Sequence, residues 1–156
     1  MIKLWAGDPR SVIDRENRKI FLRSINYPGS NGWEFIIYDD TVQVNNAKRK
    51  GVVTEYFQIS DISKMTLKVG IQTTSATLWL EGKKPKKWIR GVPCAGADIF
   101  VAYAAYEYIL EKRQGDLLNP IEAKIPPHVV QTAKMLRAGE LPAEDIAAFR
   151  ARGMSW

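Results

Sequence analysis

Cysteine and histidine are almost absent from this chain of 156 residues, which has one of each, Cys94 and His128. A single cysteine excludes an intrachain disulfide, and the two together are too few for a zinc site of cysteines and histidines, which takes about four ligands. Long apolar runs are missing too, because the most apolar stretch, 95–110, carries Asp98 and Glu107. That stretch is too short and too polar to span a bilayer. We therefore expect a cytoplasmic protein without a disulfide framework.

The motifs that mark common catalytic sites are also lacking. The sequence has no P-loop, no G-x-G-x-x-G after a strand and no paired metal-ligand spacing. His128 has no carboxylate or cysteine beside it to complete a proton relay, and Cys94 fits a small buried apolar residue. The acidic doublet Asp39-Asp40 fits a hairpin turn. These observations predict a protein that is not an enzyme and that uses no cofactor or metal.

Basic residues are the most distinctive feature that is present. The chain has 23 lysines and arginines against 17 acidic residues, a formal charge of +6. Two short loops concentrate this charge, and their cations are Lys48, Arg49, Lys50, Lys83, Lys84, Lys86 and Lys87. Lysine lacks the planar fork of arginine, so the second loop favours nonspecific attraction to anions. Nucleic acid, an acidic protein face and an anionic membrane surface are all candidate partners.

Seven strand-like stretches separated by turn signals occupy residues 19–92. The clearest pair is 33–38 and 41–45, because WEFIIY is rich in aromatic and β-branched residues and TVQVN alternates around a two-residue turn. Residues 11–16 are compatible with a short helical turn. No helical unit separates the strands, which argues against a parallel βαβ fold and favours an antiparallel sandwich or barrel. The other strand candidates are 19–24, 53–59, 65–69, 71–80 and 88–92.

The hydrophobic period changes after Pro93. Ile99, Tyr103, Tyr106 and Leu110 recur at helical spacing, which predicts one long amphipathic helix over about 97–114. Two short helices, about 128–138 and from Pro142 onward, predict a helical hairpin at the end of the chain. The resulting α+β organisation is an extension (1–18), a strand-rich domain with its helix (19–115), a linker (116–127) and the hairpin (128–156).

This order of elements resembles a known family. The stretches that carry the likeness are Trp33–Val44, Phe57–Val69, Leu78–Val92 and the helix from Ala97, with an "ISDISKM" corner inside the second. They resemble the bacterial pleckstrin-homology-like domains over residues 19–114. The segment MLRAGELPAEDIAAFRAR is similar to a helical hairpin appended to many bacterial proteins of this kind, matching at Gly139, Leu141, Pro142, Glu144, Asp145 and Ile146.

The resemblance implies a seven-stranded barrel or sandwich capped by the long helix, and a binding or scaffolding role. It also implies that three interstrand loops, Pro28–Gly32, Asn46–Gly51 and Gly82–Lys87, gather at one end, which would bring the two basic loops together. Family members that bind phosphoinositides carry their basic signature on the first of these loops, where this chain has PGSNG. Inositol-phosphate binding is therefore not expected.

The leading hypothesis is a module that binds a macromolecule, most often a protein, as a small phage or bacterial accessory factor would. The alternatives are a nucleic-acid-binding factor that uses the two basic loops, with Trp79 and Trp88 as stacking surfaces, and peripheral attachment to anionic membranes. Trp5 and Trp156 lie near the termini, where large aromatic side chains favour a role in assembly with a partner or a second copy.

Overall fold

A computed structural model of the chain describes residues 11–14, 17–24, 32–48, 51–69, 75–95, 98–114, 116–117 and 127–138. Eight antiparallel strands form two sheets in these residues. The five-stranded sheet has the order β1-β2-β3-β4-β5 and the three-stranded sheet the order β6-β7-β8. The strands are β1 (Val12–Asp14), β2 (Lys19–Arg23), β3 (Trp33–Tyr38), β4 (Thr41–Lys48), β5 (Gly51–Gln58), β6 (Ile62–Val69), β7 (Ser75–Gly82) and β8 (Trp88–Ala95).

The core lies between the two sheets and follows directly from the alternation of apolar residues. Leu22, Phe35 and Val44 are paired across β2, β3 and β4, so their side chains share one face, and all three are fully buried. The three-stranded sheet contributes a matching face, on which Leu67, Leu78 and Val92 lie opposite one another. Each strand therefore buries every second residue.

The expected seven-stranded closed barrel is wrong. The structure has eight strands in two separate sheets, and in its described residues no ladder of hydrogen bonds joins one sheet to the other. There are two physical reasons. The additional strand β1 occupies the outer edge of β2, and β5 ends in a 3-10 turn, Ile59–Asp61, after which the chain enters the second sheet.

β1 arises where the sequence is compatible with a helical turn. Its three residues are buried, and Val12 and Ile13 pair with Phe21 and Ile20 of β2. Asp14 ends the strand by accepting hydrogen bonds from the backbone N–H and the side-chain amide of Asn17, at 3.2 and 2.8 Å. A strand of three residues is too short for its alternation to be read from the sequence.

Helix α1 (Asp98–Arg113) lies where the period predicts a helix over 97–114, but it is buried more evenly than an amphipathic helix. Residues 98–102 are all buried, so the first turns have no solvent face. The helix contacts strands of both sheets, including β2 and β7, and its other side is covered by a second helix. At its end, the Arg113 guanidinium donates to the carbonyls of Ile59, Ser60 and Ile62 at 3.0, 3.0 and 2.5 Å. Those bonds tie the helix to the turn between the sheets.

Helix α2 (Pro127–Ala138) corresponds to the first helix of the predicted hairpin and packs on α1. Ala133 is completely buried in this contact, and Arg137 donates two hydrogen bonds to Glu111 at 2.8 and 2.5 Å. The predicted second helix from Pro142 lies outside the described residues. Neither α1 nor α2 has the length and hydropathy that crossing a bilayer requires.

Candidate functional site

The two basic loops lie at opposite ends of β5. Lys48 and Gly51 are partners at the tip of the β4–β5 hairpin, and the tip residues Arg49 and Lys50 lie outside the described residues. The loop 83–87 joins β7 to β8 next to the turn at the far end of β5, where Lys83 and Lys84 share a shallow cleft of about 210 Å³ with Ser60 and Ser63. Seven residue steps at roughly 3.3 Å separate the two ends by about 23 Å. The structure therefore does not bring the two loops into one patch.

Trp88 holds the second loop in place and offers no stacking surface. Its side chain is 5% exposed and stacks on Phe57 with ring centroids 4.0 Å apart. Its indole N–H donates to the carbonyl of Lys84 at 2.8 Å. Gly82 makes this possible, because a Cβ there would lie 2.4 Å from the Trp88 ring. Lys83, Lys84, Lys86 and Lys87 are all exposed around this anchored turn.

Trp79 is the exposed tryptophan among those described. It lies on the outer face of β7, 40% exposed, with its ring over Gly91 of β8. Ile89, on the same face, is 45% exposed. One aromatic ring and one aliphatic side chain form a small apolar area, well within what ordinary protein surfaces carry.

A larger cleft of about 410 Å³ lies between α1, α2 and the turns that follow β1 and β3. Its charged groups are committed to one another. Lys112 lies 3.5 Å from Asp40, and Arg137 holds Glu111, whose pKa is lowered by the hydrogen bonds from that guanidinium. Burial raises the pKa of Tyr108, whose hydroxyl donates to the carbonyl of Asp39 at 2.8 Å. The cleft is thus a place where internal charges pair across helices and turns.

The sheet edges differ in how they are protected. Edge strands expose unpaired backbone groups, and proteins blunt them with short length, lysine, proline, bulges or cover. β1 has three buried residues, β6 has a register shift after Ile62 and carries Lys64 and Lys68, and β8 contains Pro93. β5 is eight residues long, has neither lysine nor proline, and pairs with β4 in continuous register. Among the described edges, β5 is therefore the one open to another strand.

The ladder between β4 and β5 shows which residues point to that open edge. The Ile59 N–H donates to the Asp40 carbonyl at 2.8 Å, one step beyond the pair Thr41 and Gln58. Hydrogen-bonded and non-hydrogen-bonded pairs alternate in an antiparallel ladder, so counting back from this bond makes Val53 a hydrogen-bonded partner of β4. Val52 and Thr54 then direct their N–H and C=O groups away from β4. We call these backbone groups of Val52 and Thr54 the free edge.

Both faces of the strand are uncovered beside the free edge. Gly51, Val52, Val53 and Thr54 are all exposed, although neighbouring residues point to opposite faces. Val52 is 57% exposed and Val53 47%, and Tyr56 on the outer face is 63% exposed. We call residues 46–48 and 51–54 the arm. It presents valines to solvent on both faces, an arrangement that costs solvation free energy and is typical of an interaction site.

The base of the arm is held firmly. The Glu55 carboxylate accepts two hydrogen bonds from the Arg90 guanidinium, at 2.9 and 2.7 Å, which joins β5 to β8. The guanidinium lies over the Phe57 ring at 5.6 Å, and Phe57 in turn stacks on Trp88. This bidentate pair fixes the direction in which the arm leaves the sheets.

The free edge was missed in the sequence, because the pattern GVVTEYFQ predicts a strand but not its place in a sheet. The other predicted residues fall elsewhere: Cys94 is buried in the core, as expected, while Trp5 and Trp156 lie outside the described residues. In the described part of the chain, no group of three or more histidine, cysteine, aspartate or glutamate side chains is placed to hold a metal ion. No family model, curated protein or solved structure matches this chain.

Proposed function

We propose that this protein is a binding module that takes up an extended segment of a partner protein as an additional strand along β5. The observation that carries the proposal is the free edge, an unprotected pair of backbone donors and acceptors on a long edge strand. Strand addition is a common mode of peptide recognition, in which main-chain hydrogen bonds supply affinity and alternating side chains supply specificity.

The free edge has the right scale for a transient interaction. Val52 and Thr54 together offer two N–H donors and two carbonyl acceptors. At roughly 0.5–1.5 kcal/mol net for each hydrogen bond, they supply about 2–6 kcal/mol. Covering Val52 and Val53 adds apolar burial on both faces. Ordering the partner segment offsets part of this gain, so we expect weak and reversible binding.

The exposed valines favour a protein over the alternative partners. A nucleic acid or an anionic membrane satisfies lysines, but it leaves the backbone groups of Val52 and Thr54 bonded to water. The buried position of Trp88 removes one of the two stacking surfaces that the nucleic-acid hypothesis invokes. The four exposed lysines of loop 83–87 remain available to anions, and that hypothesis stays a prediction to be tested separately.

Hydrogen exchange tests the geometry of the free edge directly. In the isolated protein, the amides of Val52 and Thr54 should exchange faster than that of Val53, which is bonded to β4. When the native partner binds, the same two amides should become protected. Protection of Val52 and Thr54 in the isolated protein would show that the edge is already covered and would refute the proposal.

A pair of charge-matched variants tests the role of the site in binding. Val52→Lys with Thr54→Lys places two lysines beside the free edge, as proteins that avoid strand addition do. Ser60→Lys with Ser75→Lys adds the same charge at exposed residues elsewhere. Proteins captured from the native cell by the wild type should be lost with the first variant and kept with the second. Equal capture by both variants would place the interaction away from β5.

A further inference from the structure

Electrostatic charge is distributed unevenly along the free edge. At the tip of the arm stand three consecutive cations, Lys48, Arg49 and Lys50. At its base, the charge of Glu55 is balanced by the bidentate contact with Arg90. A strand that adds to β5 therefore meets a positive field at one end and a neutral, apolar surface along the rest.

A second copy of this chain is a poor match for that pattern. When two β5 strands pair in antiparallel fashion, the tip of each arm lies level with residues 54–58 of the other copy. That stretch, TEYFQ, has one acidic residue, Glu55, which already holds Arg90. Each copy also carries a formal charge of +6, which opposes association.

A nucleic acid matches the tip but not the edge. Its phosphates pair with Lys48, Arg49 and Lys50, yet it offers no strand to the backbone groups of Val52 and Thr54. It also leaves Val52 and Val53 exposed. The match to both features together requires a polypeptide that combines β-forming residues with negative charge.

We propose that the segment bound along β5 is an extended peptide with apolar or β-branched residues beside Val52–Thr54 and a run of acidic residues level with the tip of the arm. This inference rests on the proposed function, since it names the kind of partner that the same edge selects. The acidic run provides both attraction at a distance and register, because only one placement along the edge brings it to Lys48–Lys50.

Fluorescence anisotropy with synthetic peptides tests the inference. The probe alternates valine and threonine and ends in a run of glutamates, and two comparison peptides replace the glutamates with glutamine or with lysine. We expect the glutamate peptide to bind best and the lysine peptide worst. Replacing Lys48, Arg49 and Lys50 with serine should weaken the glutamate peptide about tenfold, the scale expected for losing three exposed charge contacts. The matched variant with serine at Lys83, Lys84 and Lys86 should leave it unchanged.

The outcomes separate this inference from the proposed function. Equal binding of the three peptides, with Val52→Lys and Thr54→Lys still abolishing it, overturns the acidic partner but keeps strand addition. Equal binding of a glutamate peptide N-methylated at alternate residues, which lacks half of its backbone donors, overturns strand addition itself. Dimerisation in sedimentation equilibrium that Val52→Lys and Thr54→Lys abolish identifies a second copy as the occupant. A duplex oligonucleotide that displaces the glutamate peptide, and whose own binding survives those two lysines, assigns the tip to phosphates; either result overturns the inference.

Discussion

A buried ion pair in the five-stranded sheet provides the sharpest test of the architecture. Arg23 of β2 and Glu34 of β3 are cross-strand partners, and the guanidinium Nε donates to Glu34 Oε2. Both side chains are only 6% exposed. The second carboxylate oxygen, Oε1, accepts a hydrogen bond from the Asn45 side chain at 2.7 Å, and Asn45 Oδ1 accepts one from Thr54 at 2.9 Å. A polar row thus crosses four strands and ends on the arm.

Removing one partner of this pair should be far more costly than removing both. Glu34→Leu leaves the Arg23 guanidinium without its carboxylate, and losing one partner of a buried pair costs about 3–5 kcal/mol. Replacing both residues, as Arg23→Met with Glu34→Leu, removes the charges together and should be close to neutral or stabilising. The pair Arg90 and Glu55 is 25% and 35% exposed, so Glu55→Gln should cost only about 1 kcal/mol.

Urea unfolding followed by circular dichroism measures these differences. For a slope of about 2 kcal/mol/M, Glu34→Leu should lower the midpoint by about 1.5–2.5 M. The double variant should recover most of that loss. A cost below about 1 kcal/mol for Glu34→Leu, or a double variant as unstable as the sum of the two single changes, would refute the assignment of a desolvated pair.

Two further predictions concern a core tryptophan and the contact between the helices. Trp88→Ala should lower the free energy of unfolding by about 3–5 kcal/mol in the same urea assay, because the ring is buried on Phe57; a loss below about 1 kcal/mol would show that the ring packs on nothing. The pKa of Glu107, whose Oε1 is buried without a hydrogen-bond partner among the described residues, is raised from its ordinary value of 4.5, chiefly by burial, while Arg137 and Lys134 oppose the shift. A raised folded pKa means that ionised Glu107 destabilises the fold above that pKa and that the penalty disappears as the pH falls through it. Glu107→Gln should therefore be more stable than the wild type at pH 7, by a margin that shrinks as the pH approaches 4.5; a margin independent of pH would contradict this.

Local patterns predicted several elements well. The strand 33–38 and the helix near 97–114 follow from runs long enough to show their period, and the structure places them at Trp33–Tyr38 and Asp98–Arg113. β4 extends beyond the predicted 41–45 to Lys48, because its last residues, NAK, are polar and carry no alternation. β1 was missed for a similar reason, since three residues show no period and only their pairing with β2 makes them a strand.

The candidate site depended on information that no local pattern holds. GVVTEYFQ predicts a strand, but whether that strand is central or at an edge is decided by its neighbours in space. The pairing of Arg23 with Glu34 depends on register across a connection of ten residues, from 24 to 33, whose length does not specify a turn. The ion pair between Glu55 and Arg90 joins residues 35 apart in sequence.

By itself, the sequence determined the composition of the surface and the core. It specified one cysteine, an excess of basic residues concentrated in two loops, and alternating strands followed by a long helix. These properties depend on residue type and spacing, so they survive any arrangement of the elements. Tertiary structure alone decided that the basic loops lie at opposite ends of β5, that Trp88 is a core residue, and that β5 keeps an open edge. The physical reason is that backbone hydrogen bonds and burial are satisfied between segments distant in sequence, so the groups left unsatisfied are known only after the sheets have formed.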